Sequence, residues 1–279
     1  FHNKQVFTFD FSLEGAPGRM SENKKPLDYK QLLLYLILIP LCFIVALRGL
    51  GWAIKTIAPD LSLNIRNMIV ELIIAIPVFL IFRKTIRQGE KHILTVPRFL
   101  FCFLYLGIPF FVHAGMNIFG QETISGFRNI LFAVLGAFAV GLCEELIFRG
   151  VIFNKLQDLL SGRKNVYLVS ALLSSCVFGL IHFENLIEQS FIGTTMQVYF
   201  AFAIGLCFCG IYLFSGTLLI PVLLHGIVDT GVFMLAVNNN ATATSFNWVH
   251  MALSTAILII GLVLMIVYEK KGPMAKKNQ

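Results

Sequence analysis

Glu144, Glu145 and Arg149 place two carboxylates and a guanidinium in Gly141-Leu142-Cys143-Glu144-Glu145-Leu146-Ile147-Phe148-Arg149, inside an otherwise apolar run. Ionisable groups are costly in hydrocarbon, so their first reading is functional. Glu145 and Arg149 are four residues apart with the acid N-terminal, the favourable order for a pair on one helix face. The spacing predicts an intrahelical ion pair that clamps Glu145. Glu144 lies about 100° round the helix from its neighbour and has no such partner in its own helix. It is free to act as a general base on water. The competing reading is a packing network of all three with no chemistry.

Two further elements can meet this one. His182 ends the next apolar run, in Phe178-Gly179-Leu180-Ile181-His182. Residues 144 and 182 are equidistant from a turn centred on 163, in Ser161-Gly162-Arg163-Lys164. In an antiparallel hairpin each lies roughly 28 Å of helix from that turn, so Glu144 and His182 are expected to face one another. His225 and Asp229 share one face of a later helix at i and i+4, with Gly226 allowing close backbone approach. A His and a carboxylate on one face can bind a metal, orient a water or support an oxyanion. They can also simply fix helix packing.

The elements that must position these groups are membrane helices. The chain has 279 residues, 57% hydrophobic and only 13% charged, where soluble domains carry about a quarter charged residues. Mean hydropathy is +0.79. The fold class expected is all-α, a polytopic transmembrane helix bundle with a site cavity within the membrane. Eight apolar segments are read at 29–54, 66–82, 98–118, 127–153, 165–183, 195–214, 217–237 and 248–268, the fourth continuing as an amphipathic extension to residue 160. Pro40, Pro77 and Pro109 fall inside spans and can kink them. Basic residues cluster at 24–30, 83–98, 155–164 and 270–277 if both ends are cytoplasmic, leaving only Lys55, Arg66 and Arg128 outside. That bias predicts a cell-membrane protein with cytoplasmic termini. The net charge of +7 then reflects basic loops, and no nucleic-acid partner is expected. The six Cys lack paired CxxC spacings and read as free, buried thiols.

Residues 1–19 differ in character from the rest of the chain. Glu14-Gly15-Ala16-Pro17-Gly18 has linker character and Met20 opens a plausible start, so 1–19 reads as a tag or fusion remnant. Residues 20–279 read as one transmembrane domain, with a motif core at 127–237. Other polar residues are expected to pack or be solvated. Glu71 would pair with Arg48 or line a cavity. His113 and Asn117 share a face without an acid partner. His250 lies near an interface, and Glu184 and Glu188 are loop charges.

In order, Glu144-Glu145-x-x-x-Arg149, Phe178-x-x-x-His182 and His225-x-x-x-Asp229 resemble the CAAX protease and bacteriocin-processing (Abi) family of intramembrane endopeptidases. Each motif alone is weak; three in order, each within a span, form a specific signal. The resemblance implies a peptide-bond hydrolase with Glu144 activating water, Glu145 and Arg149 supporting it, and His182 holding the water. It assigns His225 and Asp229 to oxyanion stabilisation. Some members carry Asn at the last position, which donates a hydrogen bond outright. Asp229 donates only when protonated, so His225 carries more of that role or Asp229 orients His225. Zinc, with Glu144, His182 and His225 as ligands, and a metal-free glutamate mechanism both fit the residue types, although no HExxH helix is present.

The implied substrate is a hydrophobic or membrane-associated, even lipidated, peptide. Bacterial precursor processing, pheromone or bacteriocin maturation, and immunity are the settings that the family suggests. Two other classes stay open. One is a non-enzymatic scaffold or immunity protein binding a peptide or sensor kinase. The other is a small transporter with Glu144 as proton carrier, which should show broken helices and repeat symmetry.

Overall fold

The computed structural model describes residues 26–89, 95–119, 123–235 and 247–271. Residues 1–19 lie outside these. We number the helices in chain order: α1 Tyr29–Ile57, α2 Leu63–Gly89, α3 Val96–Tyr105, α4 Ile108–Ile118, α5 Phe127–Leu159, α6 Val166–Ile181, α7 Phe191–Ser215, α8 Leu219–Phe233 and α9 Trp248–Lys271. Among the described residues the fold is all-α. The one pairing of β type is an isolated bridge, Thr123 with Leu235, tying the entry of α5 to the end of α8.

Among the described residues six helices are long and apolar enough to cross a membrane, or seven if α3 and α4 count as one broken span. The expected eight segments are all helical, but two differ from simple spans. The segment at 98–118 is bent by 44° between α3 and α4. Pro109 lies in the first turn of α4, and its missing N–H and ring exclude a continuous ladder through Tyr105. The segment at 217–237 yields α8, only 15 residues long, about 22 Å of helix against a hydrocarbon core of about 30 Å. Pro40 follows a π-helical turn at Leu34–Leu38, which also relieves the clash with the carbonyl four residues back. Pro77 stays inside α2.

The core is built around α5 and α7. α5 packs against α2 on one side and α8 on the other, while α7 packs against α6 and α9, and α8 also rests on α4. Apolar side chains facing outward on α1 to α4 and α9, such as Val45, Ile76, Leu80, Val112 and Val263, suit a lipid surround. All six Cys are free; Cys42 and Cys176 face outward and the other four are buried.

Two local features fix the site-bearing helices. α5 widens into π-helical geometry over Leu146–Phe153, directly after the two glutamates. Widening loosens the backbone ladder, and side chains take up its carbonyls: Ser174 Oγ donates to Phe148 O at 3.0 Å, and Asn154 Nδ2 to Gly150 O at 3.0 Å. At the crossing of α5 and α8, small residues let the backbones meet. A Cβ at Gly226 would stand 2.7 Å from the Phe138 ring, and one at Gly141 would stand 3.0 Å from Gly226 N. The first is closer than packed atoms allow, and the second is tight enough that the facing backbone would have to shift.

Candidate active site

Glu145 is the hub of the cluster. Its Oε1 accepts from Arg149 Nη1 at 2.7 Å and from His225 Nδ1 at 2.8 Å. All three side chains are at most 4% exposed. The expected i,i+4 pair is present, but Glu145 does more than hold Arg149: it also fixes the ring of His225 from the facing helix. Arg149 is further sandwiched by aromatic faces, its guanidinium carbon 4.6 Å from the Phe178 centroid and 5.5 Å from that of Phe208. Phe178, the first residue of the second motif, thus touches the Arg of the first.

With Nδ1 committed to Glu145, His225 presents Nε2 to two other acids. Glu144 Oε2 lies 3.5 Å away and Asp229 Oδ2 3.6 Å away. Both distances exceed that of a good hydrogen bond. They suit charge complementarity, or atoms that tighten when a substrate or water enters. Glu144 is therefore not isolated; its nearest polar partner is His225.

His182 starts a 3₁₀ run, His182–Ile187, at the end of α6. Its Nδ1–H donates to Phe178 O at 2.8 Å, and its ring stands edge-on to Phe178 at 5.1 Å. That bond orients the ring and leaves Nε2 as the working nitrogen. The expected apposition of Glu144 and His182 takes a different form, with Glu144 paired to His225 and His182 lining a cavity beside His225 and Asp229. Equal depth along a hairpin sets height, but it does not set which helix face looks inward, and the π-helical turn after Glu145 changes that face.

The cavity holds about 510 Å³ and is bounded by α4, α6, α7, α8 and α9. His182, His225 and Asp229 are among its lining residues. Glu144 is reached from it through the Nε2 edge of His225. A second groove of about 650 Å³, between α2, α5 and α8, is wholly apolar apart from Thr217 and carries no titratable residue.

Several expectations need correction. Arg48 does not meet Glu71. Its Nε bonds Glu184 and its Nη1 reaches Glu188 at 2.7 Å, so α1 holds the 182–187 run that begins with His182. Glu184 and Glu188 are thus partners of a span residue, because the run folds back against α1. Glu71 is buried at 6% exposure, with Oε2 unpaired, and lies against Cys143 and within electrostatic reach of Glu144. A lone mid-helix acid gave no signal of that neighbour. His113 and His250 are not independent packing residues either; their rings meet edge to face at 4.9 Å and both line the cavity.

A metal requires converging ligands at about 2.0–2.2 Å. Among the described residues no group of three or more His, Cys, Asp or Glu is arranged to hold one. His182 and His225 are bonded through Nδ1, to Phe178 O and Glu145, and keep Nε2 open, but with Glu144 they form no converging ligand set among the described residues. The geometry does not fit zinc.

A family model described as Type II CAAX prenyl endopeptidase Rce1-like matches residues 126–231. Over this segment the chain is similar to the Rce1-like CAAX protease family. The match includes α5 to the core of α8, and so Glu144, Glu145, Arg149, His182, His225 and Asp229. No curated protein and no solved structure matches the chain significantly. The family-model match and the membrane-spanning helices together support a protease role in a multi-pass membrane protein.

Proposed function

We propose that the protein is an intramembrane endopeptidase that hydrolyses a hydrophobic or membrane-associated peptide by water activated at Glu144. The observation that carries this reading is the convergence of Glu144, Glu145 and Asp229 on one imidazole, His225, at the edge of a cavity inside the bundle. Three carboxylates and a single guanidinium around one histidine are a costly arrangement for packing alone.

In this mechanism water enters from the cavity and is held between His182 Nε2 and Glu144. Glu144 takes a proton from the water as the oxygen adds to the peptide carbonyl. The carbonyl oxygen becomes the oxyanion and is met by the Nε2 edge of His225, whose ring is fixed by Glu145. Asp229 sits against the same nitrogen and balances charge on the ring. Glu144 returns its proton to the departing amine as the C–N bond breaks. Glu145, Arg149 and the two Phe rings do not touch substrate; they hold the imidazole in place.

The substrate is a peptide reaching the site from the bilayer or from the end of the bundle opposite the 161–164 turn, where Gln189 and Asn247 line the cavity. The distribution of Lys and Arg favours the cytoplasm for both termini and the 161–164 turn when all eight apolar segments cross. The test uses purified wild type and Glu144→Gln in lipid nanodiscs, incubated with apolar precursor peptides with and without EDTA, with fragments read by mass. Cleavage by wild type and none by Glu144→Gln supports the reading. Equal cleavage by both overturns it. Absence of cleavage, with unchanged biological output of Glu144→Gln in cells, favours a peptide-binding scaffold.

A further inference from the structure

The cavity that His225 and Asp229 line is also lined by polar residues that the mechanism does not use. His113, on α4, is 4% exposed. Its ring lies flat on Phe200 of α7, with centroids 4.0 Å apart and planes 7° from parallel, and edge-on to His250 of α9. Three helices thus lock the imidazole in one orientation.

The hydrogen bonds decide which atoms are left to donate. Asn117 Nδ2 can only donate, and it lies 3.4 Å from His113 Nδ1. Nδ1 is therefore the acceptor, and the ring proton sits on Nε2. Gln197, one turn before Phe200 on α7, accepts from Asn185 Nδ2 at 3.0 Å through Oε1, which leaves its amide N–H groups to donate elsewhere. Both residues line the cavity. Among the described lining residues Asp229 is the single carboxylate. His113 and Gln197 thus offer oriented donors to the same space.

Resting on the hydrolase reading, we propose that His113 and Gln197 form a substrate subsite that takes an acceptor oxygen of the bound peptide, away from the scissile bond. The oxygen comes from an internal carbonyl or from a terminal carboxylate. His113 is a specificity-determining residue here and does not touch the reacting atoms. A peptide whose carbonyl is polarised by His225 would place its next polar groups in this cavity, where an unpaired backbone oxygen is expensive. The fixed donors satisfy that oxygen without ordering a flexible side chain at the moment of binding.

The experiment immobilises the Glu144→Gln protein in nanodiscs and exposes it to apolar decapeptides, each prepared as free acid and as C-terminal amide. Retained peptides are read by mass, and the wild type is assayed for cleavage of the same set. His113→Phe keeps the aromatic stack and removes the donor; His113→Gln keeps a donor at similar reach. Thermal unfolding checks that both variants fold. The proposal expects His113→Phe to weaken retention about tenfold, the worth of one buried hydrogen bond. In the cleaving background it expects a KM increase of the same size with kcat nearly constant. His113→Gln should recover most of the loss. A loss confined to free acids identifies the terminal carboxylate, and equal loss for both forms identifies an internal carbonyl. Unchanged retention and KM in His113→Phe overturn the subsite, as does a fall in kcat alone. No retention of any peptide by Glu144→Gln, while wild type cleaves, overturns the subsite and leaves the hydrolase standing. Retention that depends on His113 without cleavage by wild type overturns the hydrolase and leaves the subsite.

Discussion

Glu145→Gln should cost far more stability than Glu144→Gln, although both should abolish cleavage. Glu145 Oε1 accepts from Arg149 Nη1 at 2.7 Å and His225 Nδ1 at 2.8 Å, at a point with no exposure to solvent or lipid. Glutamine keeps an acceptor oxygen but removes the negative charge, leaving the guanidinium buried without its counter-charge. Breaking such a pair from one side costs about 3–5 kcal/mol. The contacts of Arg149 with Phe178 and Phe208 persist in both forms and do not change the difference. Glu144 meets His225 Nε2 only at 3.5 Å, so its charge-removing substitution should cost about 1 kcal/mol. At about 2–4 °C per kcal/mol, the scale of larger soluble domains, Glu145→Gln should lower Tm by roughly 6–20 °C and Glu144→Gln by less than about 4 °C. The assay is thermal unfolding of the detergent-solubilised protein, together with yield from the membrane fraction. Equal losses of Tm, or a larger loss for Glu144→Gln, would refute the division between a positioning and a reacting carboxylate.

The same geometry sets four more outcomes. Gly226→Ala should lose about 1–3 kcal/mol by driving a methyl into the Phe138 ring, and Phe138→Leu in the same chain should restore part of that; a neutral Gly226→Ala would show that the helices can separate freely. Arg48→Ala and Glu184→Ala should each reduce cleavage modestly, through the placement of His182, with a coupling of about 0.5–1 kcal/mol in a double-mutant cycle; additive effects would detach this pair from the site. EDTA should leave cleavage unchanged, because the described residues present no converging ligand set; loss of activity restored by added zinc would overturn that reading. A cysteine placed at Ser161 should react with a membrane-impermeant maleimide only from the cytoplasmic side, and labelling from outside would invert the orientation.

The helices and the motif were legible because hydrocarbon imposes strong local rules. Long apolar runs must become helices, since every backbone group needs an internal partner. Charges within them stand out, so Glu144, Glu145, Arg149, His225 and Asp229 could be named from type and spacing. The Glu145–Arg149 bond was readable because it lies within four residues of one helix. The bond from Glu145 to His225 spans 80 residues, and no local pattern encodes which face of α8 turns toward α5. The same limit hid the pairing of Arg48 with Glu184 and the meeting of His113 with His250, each between separate helices. Pro109 was legible as a possible kink but not as the break it makes, and the shortness of α8 was not legible, because 217–237 is apolar throughout and was read as a full span.

Glu144 and Glu145 show where the boundary falls. The sequence by itself determined that neighbouring carboxylates on a helix diverge by about 100°, so that only one can pair with Arg149. Tertiary structure decided what the divergence means. The close crossing permitted by Gly141 and Gly226 brings His225 onto the paired glutamate and within 3.5 Å of the other. An imidazole held on one side by a buried carboxylate and open on the other is a relation between helices. It depends on the distance between their axes, and that distance is set by packing.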